Sequence, residues 1–313
     1  MDIEIVKNDG TSYFLESYDI IVKDVIVESM ETKDTYQDYE SLHGRYLLNS
    51  VYLKRKIHVP VFFESDNNVD YALQRSLLYE LVQDNKPFYL REMRRYEKVS
   101  YDFRNTTSDD YQPIDERGKP MNETEDQYNN FVTAKKYLVK LTNVLSPEQK
   151  NFKGSVTLEF ETVGLPFAES IGTSLELHKQ TISDSWSADM DIDLEDTSKQ
   201  KYIFENVSSG NVYYHGTVPN NQHNMYKVVR IIIGQNTNNF SWTLGTGNVM
   251  TLKGLNLKSG DVIVYDGLKI MKNSQSVVKY SNIEMPALNP GFNKFQFNQK
   301  IKKVEFDVKF YSK

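Results

Sequence analysis

The chain has no cysteine and only two tryptophans among its 313 residues. The absence of cysteine excludes a disulfide scaffold, cysteine-ligated zinc, iron–sulfur clusters and thiol catalysis. No stretch approaches the roughly 18 apolar residues that a membrane-spanning helix needs. The first residues lack the basic and apolar regions of a signal peptide. We therefore expect a protein that uses no cofactor, does not sit in a membrane and is made in the cytoplasm.

Basic charge is also scarce for a nucleic-acid-binding protein, since the formal net charge is −6. Two short basic runs occur, at 54–56 and 91–95. We interpret both as solvated faces of strands or loops. The length is sufficient for two domains of ordinary size.

In the first half of the chain, apolar and polar residues alternate as they do in β-strands, and one helix lies among these strands. Asp9-Gly10 predicts a hairpin turn. Residues 51–63 alternate apolar and polar side chains, which predicts one strand interrupted in its pattern by Arg55. Apolar residues at spacings of three and four predict an amphipathic helix over 69–82. Its start could be capped by Asp66 or Asn68. Further strands are expected at 20–27, 88–90, 134–144 and 155–163.

Two stretches break this pattern. Residues 104–130 are polar, with little apolar content to bury, and predict a protruding insertion. Residues 164–172 contain Gly and Pro at a change of pattern and predict a domain boundary. The expected organisation is a domain over 1–165, a linker over 166–172 and a second domain over 173–313.

The second half predicts many short strands separated by turns, which is typical of a β-sandwich or barrel. Apolar residues alternate with polar ones from Trp186 to Leu194 and again from Val304 to Phe310. A nearly continuous apolar run at 225–234 predicts a central strand. The fold class is therefore mainly β, with one helix in the first domain.

The motif search finds no catalytic, cofactor-binding or metal-binding residue. Asp189, Asp191 and Asp193 resemble the opening of a calcium loop, but the Gly and Glu that such a loop requires are missing. Gly245 and Gly247 form a lone GxG without a following helix, which predicts a turn. The five histidines form no metal-binding pair. Nothing supports an enzyme such as a wall hydrolase.

Trp186 and Trp242 could stack on a sugar, which keeps a carbohydrate-binding module open as an alternative. Both tryptophans lie on the apolar side of their predicted strands, so burial in the core is favoured. The sequence therefore assigns no binding residue.

The order of elements carries a family resemblance. A terminal hairpin is followed by a basic strand over 52–62, the helix with Tyr71-Ala-Leu-Gln-Arg, the segment Lys86-Pro-Phe-Tyr-Leu-Arg91 and the linker Gly164-Leu-Pro-Phe. An all-β domain closes with Gly291-Phe-Asn-Lys-Phe-Gln-Phe297 and Val304-Glu-Phe-Asp-Val-Lys-Phe310. This order resembles the distal tail proteins (Dit) of long-tailed phages that infect Gram-positive bacteria, and most resembles the staphylococcal forms.

The resemblance implies a non-enzymatic structural hub in the virion. The N-terminal domain, a β-sandwich or split barrel, would form a hexameric ring at the tail tip. The ring would join the tail tube protein and the tape-measure protein to the tail-associated lysin, other baseplate proteins and the receptor-binding proteins. The outer domain would be a galectin-like or carbohydrate-binding-module-like β-sandwich. The alternative function is binding of host cell-wall glycans by that sandwich.

Physical reasoning adds one expectation about the ring. A ring needs a head-to-tail interface that closes, and a protruding arm is one way to build it. Two stretches could serve as that arm, 31–44 and the predicted insertion at 104–130. If DNA passes through the ring, an acidic lumen would keep the DNA from adhering.

Overall fold

The computed structural model describes residues 1–41, 43–94, 133–179, 186, 188–190, 192–193, 196–245 and 247–313. The predicted insertion at 104–130 therefore lies outside the described residues. The described part is mainly β, as the sequence predicts. No described helix is long and apolar enough to cross a membrane.

The first half forms one curled antiparallel sheet around a hydrophobic core. Its strands run in the order β2-β1-β8-β9-β11-β7-β3. Strand β4 also pairs with β7 and strand β10 with β11, whereas β5 and β6 form a separate two-stranded sheet. The strands are β1 (Asp2–Val6), β2 (Ser12–Phe14), β3 (Ile20–Val22), β4 (Ile26–Val27), β5 (Glu31–Gln37), β6 (Tyr46–Lys54), β7 (Lys56–Glu64), β8 (Phe88–Met93), β9 (Lys135–Leu141), β10 (Glu148–Lys150) and β11 (Lys153–Thr162).

The predicted terminal hairpin is confirmed. Strands β1 and β2 pair antiparallel with Ile5 opposite Tyr13. Gly10 adopts a φ of +87° in the turn, a conformation that glycine reaches without steric cost. Ile3 and Ile5 are fully buried and belong to the core of this half.

The predicted helix is present as α1 (Asn68–Val82), but its details differ from the prediction. Asn67, not Asp66 or Asn68, caps the first turn, because its side chain accepts hydrogen bonds from the backbone N–H groups of Val69 and Asp70. The buried side is formed by Tyr71, Leu78, Leu81 and Val82. Val69 and Leu73, which the pattern placed on the apolar stripe, are exposed.

The single strand predicted over 51–63 is wrong. The chain breaks at Arg55 into β6 and β7, and only β7 belongs to the main sheet. Val51 and Leu53, placed in the core by their alternation, are exposed, whereas Arg55 is buried. The interpretation of 54–56 as a solvated basic face is therefore wrong for Arg55. The strand predicted over 20–27 is likewise split, into β3 and β4.

The second half is a sandwich of two antiparallel sheets. A six-stranded sheet has the order β13-β22-β15-β18-β19-β20, and a four-stranded sheet has the order β14-β21-β16-β17. The strands are β13 (Ile203–Glu205), β14 (Ser209–Tyr214), β15 (Lys227–Ile232), β16 (Thr237–Leu244), β17 (Met250–Leu257), β18 (Val262–Asp266), β19 (Lys269–Lys272), β20 (Gln275–Ser276), β21 (Gly291–Phe297) and β22 (Lys303–Val308).

The apolar face of each sheet points into the core that the two sheets share. The alternation predicted at 304–310 is confirmed, since Val304, Phe306, Val308 and Phe310 are fully buried. The predicted central strand is β15, which lies between β22 and β18. A short helix, α2 (Ser174–His178), packs beside β22.

The strand predicted from Trp186 to Leu194 is wrong for its described residues. Residues 188–190 form a turn of 3-10 helix, and Trp186 and Met190 are both buried. Trp186 and Met190 are four residues apart, a spacing that puts side chains on the same side of a strand and of a helical turn, so the pattern alone did not separate the two.

The two halves are connected through short strands at residues expected to be a linker. Strand β12 (Ala168–Ser170) pairs on one side with β23 (Tyr311–Ser312) and on the other with β9. A small apolar cluster packs at this junction and includes Phe167, Val218, Met225 and Tyr311. Three residues of the expected linker 166–172 therefore form a strand, Ala168–Ser170, and the domain boundary placed there stays a prediction.

Candidate assembly surface

The most unusual surface is the hairpin of β5 and β6, residues 31–54, which we call the arm. Every described residue from 31 to 53 is exposed. Strands β5 and β6 pair only with each other. A strand of nine residues, the length of β6, spans about 30 Å. Eight large apolar or aromatic side chains of the arm are exposed: Tyr36, Tyr39, Tyr46, Leu47, Leu48, Val51, Tyr52 and Leu53.

This composition is unfavourable for a hairpin surrounded by water. An isolated two-stranded hairpin is marginally stable at best, and both outer edges of the arm lack a pairing strand among the described residues. Unpaired edges and exposed apolar patches mark surfaces that another chain covers. The arm therefore has the properties of an interface whose partner is missing from the single chain.

Side-chain contacts within the arm stabilise its conformation. The Arg45 guanidinium lies 4.3 Å from the ring centre of Tyr36. Tyr39 and Tyr46 meet edge to face at 5.5 Å. Ser50 donates a hydrogen bond of 2.6 Å to Asp34 across the hairpin. The exposed aromatic side chains are thus partly ordered before any partner is present.

The root of the arm is fixed to the main sheet. The Arg55 N–H donates to Thr162 Oγ1 at 2.9 Å, and the Thr162 N–H donates to the Arg55 carbonyl at 3.0 Å. The buried Arg55 guanidinium donates to the Tyr137 hydroxyl at 3.3 Å. Lys54 pairs with Glu161 at 2.8 Å. Tyr52 packs edge to face on Phe167. These contacts set the direction in which the arm leaves the protein.

A groove on the main sheet offers a complementary surface. It lies beside β3, β7 and α1, is open to solvent and has a volume of about 600 Å³. Ile21, which is exposed, and Phe62 line its apolar part. Five carboxylate side chains line the rest: Glu16, Asp19, Glu64, Asp66 and Asp70. We call this surface the acidic groove.

The residues singled out from the sequence do not form a site together. Trp242 is 1% exposed and Trp186 is 6% exposed, so neither is available to a sugar. Asp189 accepts a hydrogen bond from the Ala134 N–H at 3.1 Å. Asp191 lies outside the described residues. Gly245 has a φ of +59° in a turn after β16, in agreement with the prediction of a turn.

Three of the five histidines, His58, His178 and His215, make separate local contacts. His58 pairs with Glu28 at 2.7 Å. His178 lies 3.1 Å from the Gln200 carbonyl, and His215 lies 3.1 Å from the Lys199 carbonyl. Burial of the His215 ring is the main cause of its lowered pKa, which is about 4. Within the described part of the chain, no group of three His, Asp or Glu residues could hold a metal ion.

An aromatic pair on the outer side of the sandwich, the exposed Phe292 and the half-buried Tyr213, was not predicted from the sequence. Phe292 is 58% exposed, and its ring lies 4.9 Å from that of Tyr213. The prediction grouped Phe292 with Phe295 and Phe297 as one aromatic strand. Phe292 has the opposite parity to the other two, and this was the signal that could have placed it on the outer face.

Comparison with known proteins agrees with the observed fold. No curated protein matches the chain. The chain is similar to the crystal structure of the SPP1 Dit protein, described as a paradigm of the hub adsorption apparatus in phages that infect Gram-positive bacteria, with a TM-score of 0.60 and 12% identity. The match covers 99% of this chain and 98% of that one.

Two further matches are structures of the phage p2 baseplate in its activated conformation, with strontium and with calcium. Both have a TM-score of 0.40 and 8% identity. They cover 98% and 99% of this chain and 97% of each matched chain. At a TM-score of 0.40 the two baseplate structures support no conclusion about this chain. The closer likeness to staphylococcal forms expected from the sequence stays a prediction.

The sequence itself supplies the family information for the first half. Apart from β1, the listed strands of the curled sheet fall within the matched segment, as do α1 and the root of the arm. The fold of the whole chain is similar to that of the SPP1 Dit protein. Residues 8–162 match the model of the phage tail protein RIFT-related domain family.

Proposed function

We propose that this protein is a structural hub at the distal end of a phage tail, where six copies form a closed ring. The observation that carries the proposal is the arm, an ordered hairpin with eight exposed apolar or aromatic side chains and no pairing strand among the described residues. The family match over 8–162 and the similarity to the SPP1 Dit fold support it.

In this proposal the arm of one copy lies in the acidic groove of the next. The apolar side chains of the arm meet Ile21 and Phe62, and Arg45 at its tip meets the carboxylates of the groove. The arm and the groove are different surfaces of one chain, so their contact is head to tail. Such a contact closes into a ring when the rotation between copies allows it.

The ring would connect the tail tube protein and the tape-measure protein on one side with baseplate proteins, a tail-associated lysin and receptor-binding proteins on the other. The protein would be synthesised in the host cytoplasm and reside in the virion. It would act without catalysis.

Light scattering on the purified full chain tests the role of the arm. Leu48, which is 59% exposed on β6, is replaced by Asp, and Ile283, an exposed residue of the sandwich, is replaced by Asp as the matched control. The charge on the arm should lower the assembled fraction at least tenfold, because a buried unpaired carboxylate costs more than about 1.4 kcal/mol. Equal assembly of both variants would contradict the proposal.

A second candidate function is the binding of host cell-wall glycans by the sandwich. The two tryptophans do not support it, because both are buried. The exposed Phe292, whose ring contacts the half-buried Tyr213, does support it, since an accessible aromatic surface beside polar residues is what a sugar requires. This function is compatible with the hub, because the pair lies on the sandwich and the arm lies on the first half of the chain.

A further inference from the structure

The outer face of the four-stranded sheet differs in charge from the rest of the chain. None of its strands, β14, β21, β16 and β17, contains an aspartate or a glutamate, although the chain has 43 of them. Its exposed charged side chains are Lys253 and Lys294. The opposite sheet of the sandwich carries carboxylates, including Glu305 and Asp307 on β22. The strands of this face therefore carry only positive charge in an acidic protein, and an ion pair next to Tyr213, Lys199 with Asp196, is neutral overall.

An aromatic row crosses one end of the same face. Phe292 on β21 lies directly opposite Tyr213 on β14, with their ring planes at 79°. The Tyr213 ring also meets the His215 ring at 4.7 Å. Strand pairing holds the exposed Phe292 ring and the half-buried Tyr213 ring in place, so ligand binding would not carry the entropic cost of ordering them.

Polar side chains continue the row along the strands. The next outward-facing pair is Asn211 and Lys294, and the pair after it includes Gln296. Successive outward pairs lie about 7 Å apart, since each residue advances a strand by about 3.3 Å. Amide donors and acceptors at that distance from the rings lie within reach of the hydroxyl groups of the adjoining sugar in a chain.

We propose that this face binds a carbohydrate chain, with one sugar ring on Phe292 and Tyr213 and the hydroxyls of its neighbour on Asn211 and Gln296. The C–H bonds of a sugar ring match the electron-rich faces of the aromatic rings. Lys294 and the lack of carboxylates in the four strands favour chains with negatively charged substituents such as phosphate. This inference rests on the second candidate function and names its site.

A glycan array tests this site with the full chain and defined bacterial saccharides, both neutral and phosphate-bearing. The wild-type chain should bind at least one saccharide, and Phe292→Ala should weaken that binding about tenfold. Leu268→Ala, which removes an exposed side chain from the turn between β18 and β19, is the control and should bind as the wild type does. Absence of binding to every saccharide, or full binding by Phe292→Ala, would overturn the inference.

Two measurements separate this outcome from that of the hub proposal. Phe292→Ala should assemble as the wild type does in light scattering, and its unfolding midpoint should be unchanged because Phe292 is exposed. Lys294→Gln should weaken binding of phosphate-bearing saccharides only, and equal loss for neutral ones would overturn the role of Lys294. A chain that stays monomeric but binds sugar through Phe292 contradicts the hub and supports this site.

Discussion

Glu169 and Lys309 form an ion pair of 2.6 Å that joins the strand between the two halves to the end of the chain. Lys136 of β9 lies 3.6 Å from the same Glu169 oxygen. One carboxylate thus pairs with two ammonium groups at the junction of β9, β12 and β23. All three side chains are mostly buried. Burial, followed by the charge of Lys309, lowers the pKa of Lys136. Burial and the nearby Glu169 raise the pKa of Tyr89 to about 12.

Replacing Glu169 by Gln should destabilise the protein by about 2 to 3 kcal/mol. The substitution leaves two ammonium groups close together in a poorly hydrated site without their counter-charge. Urea unfolding of the full chain measures the loss. The control is Glu64→Gln, which breaks the exposed pair with Lys153 and should cost less than about 1 kcal/mol. Equal losses in both variants would show that the junction does not depend on this charge cluster.

His215 should make stability fall in mildly acidic solution. Its pKa is about 4 in the folded protein and 6.5 in the reference state. The unfolded chain therefore binds more protons between those values, and stability decreases as the pH falls from 6.5 to 4. The loss reaches about 3 kcal/mol when one pKa unit is taken as 1.36 kcal/mol.

Unfolding free energies of the wild type and of His215→Gln, measured in urea from pH 6.5 to pH 4, isolate this contribution. The difference between the two proteins should change steadily over the interval, because only the wild type gains the proton at residue 215 on unfolding. A constant difference would mean that His215 titrates alike in both states.

A methyl group at Gly210 should destabilise the sandwich by about 1 to 3 kcal/mol. Gly210 of β14 lies opposite Phe295 of β21, and an added Cβ would stand 2.5 Å from Cζ of that buried ring. Gly210→Ala therefore forces the ring out of its place in the core. Thermal unfolding measures the effect, with Ser209→Ala, an exposed neighbour, as the control. Equal melting temperatures would show that the ring moves at no cost.

Strand periodicity predicted the sandwich well because its sheets bury one face each. Val304, Phe306 and Val308 illustrate this, since every second residue of β22 is in the core. The same reasoning failed at Val51 and Leu53, where an alternating pattern belongs to a hairpin with no core beneath it. Periodicity reports which residues share a face, but not whether that face meets the same chain or another one.

The candidate surfaces were only partly predictable. The polar residues 31–44 suggested an arm, but residues 51–54 of its second strand, β6, were assigned to a half-buried strand because their apolar and polar side chains alternate. The acidic groove combines residues that are distant in sequence, from Glu16 to Gln74, so no motif could indicate it. Trp186 and Trp242 drew attention by residue type, while Phe292, at the start of an otherwise buried aromatic strand, did not.

The absence of cysteine allows a direct test of the proposed contact between copies. One cysteine is introduced on the arm by Leu48→Cys and one at the acidic groove by Ile21→Cys, both at exposed positions. A disulfide between them links two copies when the arm of one lies in the groove of the other. Denaturing gels under oxidising conditions then show which oligomers are connected covalently.

The central claim, that the arm closes a ring of six copies, is tested most directly by this double variant, with each single variant as its control. We predict a ladder of linked species that ends at the hexamer, together with ring-shaped particles in class-averaged electron micrographs of the same sample. Single variants should give at most dimers. A double variant that stays monomeric on the gel, with no rings in the micrographs, would contradict the account.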